Sequence, residues 1–189
     1  GLWIIIANSW MQTPAGFAIE GGRAVLKDFF AAAFNDSTLI RFLHTIMGGW
    51  ITGSLFTAGV GSWYILKNRD LDSAKPLLKI ALWIYVAIAI LQFGSGHGHS
   101  VQVAKTQPAK MAAFEALWQG QNGAPMSIIG IPDPDQKKTH LEIAVPKLLS
   151  FAIYFDPEAR VQGLNDFPED ELPSVVLSYL TYHGMIGLG

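Results

Sequence analysis

Two long runs without a charged side chain dominate the pattern of hydrophobic and polar positions. Residues 45–66 form an uncharged run of 22 residues, and residues 80–96 form a second run of 17. A helix of about 20 mostly apolar residues is long enough to cross the core of a bilayer. The pattern therefore predicts two complete transmembrane helices, over residues 39–66 and 77–95.

Apolar residues also occupy both ends of the chain. Residues 1–16 have the pattern of the end of a transmembrane helix, which Pro14 and Gly16 close. Pro173 opens another apolar stretch, so residues 172–189 are predicted to begin a further transmembrane helix. Because the chain ends cut both stretches, we expect an internal part of a longer protein, with two complete and two truncated spans.

Two polar segments separate these spans on one side. Residues 17–38 are predicted to form an external loop, in which apolar residues at helical spacing over 23–34 indicate a helix lying at the membrane interface. Residues 96–171 are far longer than the roughly 12 to 15 residues usual for an unstructured connection. We expect local structure there, with a helix over 108–118 and turns in the GIPDPD sequence at 130–135.

The distribution of charge predicts the orientation. The short loop 67–76 carries Lys67, Arg69 and Lys75, and short cytoplasmic loops are the ones that retain basic residues. Residues 96–171 contain six basic and ten acidic residues. We therefore expect residues 67–76 to be cytoplasmic and residues 96–171 to be extracytoplasmic.

Composition narrows the class of protein further. Half of the 189 residues are hydrophobic, 15% are charged, the mean hydropathy is +0.30 and the net charge is -2. These values exclude a disordered chain and leave no basic surface for nucleic acid. The chain has no cysteine, so disulfides and cysteine-ligated metal centres are excluded, and any metal must be held by His, Met or carboxylate.

His44 is the most informative single residue, because an ionisable side chain inside a predicted span is a candidate functional group. Gly49, Gly53 and Gly61 lie on one stripe of the same helix, and Gly48 follows His44 by one turn. Small residues at this spacing admit a flat cofactor or another helix. The alternatives are a haem ligand beside a cofactor, or a hydrogen-bonded histidine in an ordinary helix contact.

Met185 lies in the last predicted helix, two residues after His183. A thioether opposite a histidine gives a haem that transfers electrons and has no open position for oxygen. The alternative is that Met185 is one more apolar side chain of a membrane helix. His183 is a competing ligand on equal terms.

Two pairs of polar residues belong to the external segment. Lys110 and Glu115 are five residues apart, which turns them about 140° from each other on a helix. They can approach two ends of one pocket as hydrogen-bond donor and proton acceptor, or be unrelated charges on a solvated helix. His97 and His99, in a glycine-rich GHGH sequence, are interpreted as solvated or capping residues in a turn, with a metal site as the alternative.

Five sequence blocks resemble subunit I of the cytochrome bd family of quinol oxidases. They extend over essentially the whole chain, and the second and third are long and specific. They are NSWMQTPAG at 8–16, LHTIMGGWITGSLFTAGVGSWYILKNRD at 43–70, QPAKMAAFEALW at 107–118, GIPD at 130–133 and YHGMIGLG at 182–189.

The resemblance implies roles for four residues. By it, His44 and Met185 are the two axial ligands of a low-spin b-type haem, and Lys110 and Glu115 occupy positions implicated in quinol oxidation. Some members have Arg where this chain has His183. The resemblance therefore does not extend to a contact of this position with a haem propionate or with quinol. His44 and Met185 lie at the same depth in the membrane, and so can bind one iron, only if the last helix begins above the bilayer. We therefore predict that its first turns pack against the external segment.

The resemblance also implies the wider assembly. The whole subunit is expected to hold a high-spin haem b and a haem d or b, and to work with quinol, a second oxidase subunit and a small accessory subunit. It is expected to be a multi-pass protein of the prokaryotic plasma (inner) membrane, embedded in lipid.

Together these patterns predict an all-α integral membrane protein, a transmembrane helix bundle with a long external quinol-binding loop. The predicted function is part of a terminal quinol oxidase, which oxidises quinol at the outer face and passes electrons through the low-spin haem to high-spin haems that reduce oxygen to water. The chain alone is expected to be inactive. The alternative is a non-redox helical transporter or scaffold, in which His44 handles protons or substrate.

Overall fold

The computed structural model describes residues 1–188. It contains two compact units, residues 1–99 and the residues from Ser100 onward. Gly189, the last residue of the predicted span 172–189, lies outside the described residues.

The first unit is formed mainly by helices. One helix, α4, begins in this unit and continues into the second. The elements are α1 Leu2–Gln12, β1 Phe17–Glu20, β2 Arg23–Leu26, α2 Phe29–Ala33, α3 Thr38–Leu66 and α4 Leu71–Thr106.

The prediction of a helix over 23–34 is wrong for its first half. Arg23–Leu26 is a strand that pairs antiparallel with Phe17–Glu20. The two residues between the strands, Gly21 and Gly22, have φ of +56° and +74°, which suit the tight turn of a two-residue hairpin. Helix α2 begins only after Asp28, whose carboxylate accepts a hydrogen bond from the backbone N–H three residues later.

Helices α3 and α4 run antiparallel, joined by residues 67–70. Near this connection, the place of a Cβ on Gly61 would be 3.3 Å from the carbonyl oxygen of Ala74. Towards the other end, Gly98 lies against Ile40 in the same way, at 3.3 Å. Glycines at these crossings let the two backbones approach closely.

Helix α4 extends past the predicted span in both directions. It has 36 residues, about 54 Å, and so exceeds the roughly 30 Å of a bilayer core. His97 and His99 therefore lie half-buried in a helix and not in a solvated turn. The helix continues through their neighbours because Gly96 and Gly98 pack against α3.

Among the helices of residues 1–188, α4 is the one whose length and hydropathy match a membrane span. Its best window has a mean hydropathy of 2.0, and 6% of that window is buried. Apolar side chains that face outward along a helix are typical of a lipid contact. Helix α3 has 29 residues, but its glycines, serines and threonines lower its hydropathy, so the count of spans stays a prediction.

The second unit mixes short helices with strands. Four strands form two antiparallel pairs, Gln121–Asn122 with Arg160–Val161 and Met126–Asp133 with Lys138–Val145. Two 3₁₀ turns, Leu164–Asp166 and Glu169–Glu171, precede the last helix. The remaining elements are α5 Pro108–Phe114, β3 Gln121–Asn122, β4 Met126–Asp133, β5 Lys138–Val145, α6 Leu148–Tyr154, β6 Arg160–Val161 and α7 Val175–Leu188.

These strands correct the all-α prediction and two details of it. The predicted helix 108–118 ends at Phe114, since Ala116 adopts a φ of +46°, which a helix does not tolerate. Gly130 and Pro132 lie inside strand β4 and not in turns. Proline is accepted there because a two-stranded sheet has only edge strands, where one N–H can be missing.

Helix α7 packs against α5 and β4 through its first turns. Val175 and Tyr179 are buried there, together with Ala112 and Leu164. The first turns of the last helix thus pack against residues 96–171, as predicted; that these residues lie outside the membrane stays a prediction.

Candidate functional site

His44 lies on α3 and faces α4 through both ring nitrogens. Its Nδ1 is 2.9 Å from Oγ of Ser95, and its Nε2 is 3.1 Å from the amide nitrogen of Gln92. The Ser95 hydroxyl already donates to the carbonyl oxygen of Gln92 at 3.0 Å, so it accepts from His44. Nδ1 therefore carries the proton, and Nε2 presents its lone pair, because an amide nitrogen only donates.

This tautomer is the one that a metal-ligating histidine needs. A bound histidine uses one nitrogen for the metal and donates its other N–H to a fixed partner, which here is Ser95. A Cβ placed on Gly49 or Gly53 would meet no atom within 4 Å, so α3 has open surface at these two positions of its glycine stripe. The Gln92 amide would have to turn away from Nε2 for a ligand to bind there.

The donor set of the described residues fits a haem better than a bare cation. Residues 1–188 contain no group of three or more His, Cys, Asp and Glu side chains that could hold a metal ion. The ring of His99 is 5.8 Å from that of His44, centroid to centroid, so two imidazoles lie close together without a third ligand. A haem supplies its own four nitrogens and needs only axial ligands from the protein.

Met185 lies in the second unit, on α7, with its side chain 62% exposed. His183, two positions earlier, lies about 200° around the helix and contacts β4 instead. Its Nε2 is 3.0 Å from the carbonyl oxygen of Ser127, and its Nδ1 is 3.0 Å from that of Tyr179. Each nitrogen of His183 lies at hydrogen-bond distance from a carbonyl oxygen, and a neutral imidazole donates to one of the two, whereas Met185 is exposed.

Glu115 is the buried charge of the second unit. It follows the end of α5 and is 4% exposed, and its Oε2 accepts a hydrogen bond of 3.0 Å from the backbone N–H of Ser127. Burial raises the pKa of Glu115 to about 7, while the charge of His183 and the Ser127 N–H act in the opposite direction. A carboxyl group with a pKa near neutrality can both accept and release a proton.

Lys110 lies on α5, and its ammonium nitrogen is 5.9 Å from the ring centre of Phe114. That ring is stacked on Tyr182 of α7, with centroids 4.5 Å apart and planes 1° from parallel. In sequence, Lys110 precedes Phe114 by one helical turn and Glu115 follows it directly, so the two residues flank one ring of the stacked pair. Lysine over an aromatic face is a stabilising arrangement for the charge.

Four polar residues of these sites were not predicted from the sequence. Gln92 and Ser95 had a signal, since they are polar residues three apart within an otherwise apolar run, and so share a helix face. Ser127 and Tyr179 had none, because their importance arises from a contact between a strand and a helix 52 residues apart.

The fold defines a class: a mostly helical protein in which α4 has the length and hydropathy of a membrane span. Comparison with known proteins is more specific. The sequence pattern of the family "Cytochrome bd terminal oxidase subunit I" matches residues 1–189, and the chain belongs to this family. The family makes it part of a haem-containing bacterial membrane protein.

Individual relatives agree with this assignment. The chain is 32% identical to "Cytochrome bd ubiquinol oxidase subunit 1" of Bacillus subtilis (strain 168), over 99% of this chain and 42% of the relative. It is also 32% identical to "Cytochrome bd-II ubiquinol oxidase subunit 1" of Escherichia coli (strain K12), over 91% of this chain and 34% of the relative. The chain therefore spans less than half of the length of these relatives.

A solved structure shows the same fold. The bd oxidase from Geobacillus thermodenitrificans superposes with a TM-score of 0.86 at 26% identity. The match covers 96% of this chain and 42% of that chain.

Proposed function

We propose that the chain provides the quinol-oxidising site and the low-spin haem site of a terminal quinol oxidase. The observation that carries the proposal is the buried carboxyl group of Glu115, whose pKa is about 7 and whose segment also contains Lys110. Family membership and the ubiquinol oxidase names of the relatives support it. They also favour it over the transporter or scaffold alternative.

The acid–base chemistry follows from the residues of the second unit. Oxidation of a quinol to a quinone releases two protons and two electrons. The ionised Glu115 accepts the two quinol protons in turn and passes the first to water before it takes the second, while the Lys110 ammonium donates a hydrogen bond to a quinol oxygen. Glu115 can release each proton to water outside because its pKa of about 7 lies near the pH of the surroundings.

His44 and Met185 are the residues that would hold the low-spin b-type haem. When bound, this group accepts electrons one at a time and returns to its starting state after each transfer. His44 would hold the group through Nε2, with Ser95 fixing the ring by accepting from Nδ1–H. The hydrogen bond from Gln92 to Nε2 would be replaced when the group binds.

The rest of the reaction belongs to the complete oxidase. There, a high-spin haem b and a haem d or b would supply the chemistry by which oxygen, four electrons and four protons give two molecules of water. A second subunit and a small accessory subunit complete the assembly in the lipid bilayer. In this arrangement residues 96–171 lie outside the plasma membrane, so quinol oxidation releases its protons there.

Visible spectra of the complete oxidase test the haem site. His44→Ala is expected to remove the sharp reduced-minus-oxidised bands of the low-spin haem, and Met185→Leu to change them. His140→Ala, in the β4–β5 hairpin, is the matched control and is expected to leave them unchanged. Normal bands in His44→Ala would contradict the assignment.

Quinol turnover tests the second site, with short-chain ubiquinol and menaquinol analogues as the probes. Glu115→Gln is expected to lower turnover by about 100-fold or more while the spectrum persists, since a general base contributes at least that factor. Lys138→Ala, an exposed lysine in β5, serves as the control for Lys110→Ala. Wild-type turnover in a Lys110→Ala, Glu115→Gln double variant would contradict the proposal.

A further inference from the structure

Ser127 uses all three of its polar groups to connect Glu115 with helix α7. Its backbone N–H donates to Oε2 of Glu115 at 3.0 Å, and its Oγ is 2.8 Å from the hydroxyl of Tyr179. Its carbonyl oxygen lies 3.0 Å from Nε2 of His183. Ser127 is 3% exposed and Tyr179 is 2% exposed, so these contacts are shielded from water.

The strand alone does not fix the position of the Ser127 N–H. Strand β4 pairs with β5 only, and the register of the pair shifts between Ser127 and Ile129 and again before Ile131. Such irregularities bend a strand and interrupt its ladder of hydrogen bonds. The contacts with α7 therefore supply the constraint that the interrupted ladder lacks.

We propose that Tyr179 and Ser127 are positioning residues for Glu115. Their hydroxyl hydrogen bond holds the Ser127 N–H against the carboxylate and thereby sets the pH range in which quinol is oxidised. This inference rests on the proposed function of Glu115. It also ties the acid–base group to α7, the helix that carries Met185.

The expected direction follows from what the N–H does. A hydrogen bond donated to a carboxylate favours its ionised form, and this ionised form is the base that accepts the quinol proton. Loosening the bond leaves less ionised Glu115 at a given pH. The acidic limb of the pH profile of kcat/KM then moves to higher pH.

Other groups also act on Glu115, and the test keeps them in place. His183 and Tyr182 face it from α7, and Glu142 acts on it from β5. Tyr179→Phe removes only the hydroxyl and keeps the ring, whose centroid is 4.0 Å from that of His183. Ser127→Ala removes the partner hydroxyl and keeps the backbone N–H.

The experiment measures kcat/KM for a short-chain quinol analogue against pH, in the complete oxidase. Tyr179→Phe and Ser127→Ala are each expected to move the acidic limb upward by about 0.5 to 1 pH unit, part of the value of a hydrogen bond to a charged group. The double variant is expected to move it by no more than a single variant, since both remove one hydrogen bond. Tyr154→Phe, the same change on an exposed ring of α6, is expected to leave the profile in place.

Two results would overturn the inference. One is an unmoved acidic limb in both single variants while Glu115→Gln abolishes turnover, which leaves the proposed function intact. The other is a shift in the double variant equal to the sum of two independent shifts. Wild-type turnover in Glu115→Gln would instead remove the proposed function and this inference together.

Discussion

Replacing Glu115 with glutamine should change how the stability of the oxidase depends on pH. The side chain is 4% exposed, and burial raises its pKa to about 7 from an ordinary value of 4.5. The amide of glutamine keeps an acceptor for the Ser127 N–H and has nearly the same shape. The substitution therefore removes the ionisation and little else.

The magnitude follows from the two pKa values. The unfolded chain loses this proton near pH 4.5 and the folded chain near pH 7, so the folded state holds it more tightly between them. The contribution to the free energy of unfolding is present below pH 4.5 and is lost as the pH rises through 7. At 1.36 kcal/mol for each unit of pKa difference, the loss is about 3 kcal/mol.

The assay compares thermal unfolding of wild-type and Glu115→Gln oxidase by circular dichroism, from about pH 4 to about pH 8 at fixed ionic strength. The stability of the variant relative to wild type is expected to rise by about 3 kcal/mol across this range. Glu171→Gln, on an exposed carboxylate of the same unit, is the control and should show a flat difference. A flat difference for Glu115→Gln as well would refute the buried-carboxyl reasoning.

Three further substitutions test other parts of the structure. Gly130→Ala should destabilise the second unit by about 1 to 3 kcal/mol, because its Cβ would lie 2.6 Å from a methyl group of Thr139; an unchanged melting temperature would contradict this. Ser95→Ala removes the acceptor for Nδ1–H of His44 and should weaken haem retention about 10- to 100-fold, measured by haem titration; full retention would contradict the role of Ser95. Gly61→Leu should separate α3 from α4, since a Cβ there is 3.3 Å from a carbonyl oxygen of α4, and a wild-type yield of folded oxidase in membranes would disprove the close approach.

The two long helices could be predicted because their cause is local. An uncharged run of membrane length has few other stable forms, and α3 and α4 cover the two predicted spans. The far end of α4 was missed because glycines normally lower helix propensity, and only contact with α3 explains their use. The hairpin over 17–26 was missed because the apolar residues of its second strand also have helical spacing. In so short a segment, that spacing outweighed the turn signal of Gly21 and Gly22.

The candidate sites divide in the same way. The proposal for His44 follows from the cost of an ionisable group within a span, whereas those for Lys110 and Glu115 depend on the family resemblance. Neither route could find Ser127 and Tyr179, because a serine and a tyrosine acquire this role only when a strand and a distant helix meet.

The glycines in the second half of α4 have a consequence for assembly. Each glycine in a helix costs about 1 kcal/mol relative to alanine, so this stretch is a weak helix by itself. Gly96 and Gly98 are in contact with His44 and Ile40 of α3, and the packing of the two helices offsets this free-energy cost. During insertion, this part of α4 should therefore become ordered only as it docks on α3 around His44 and Ile40.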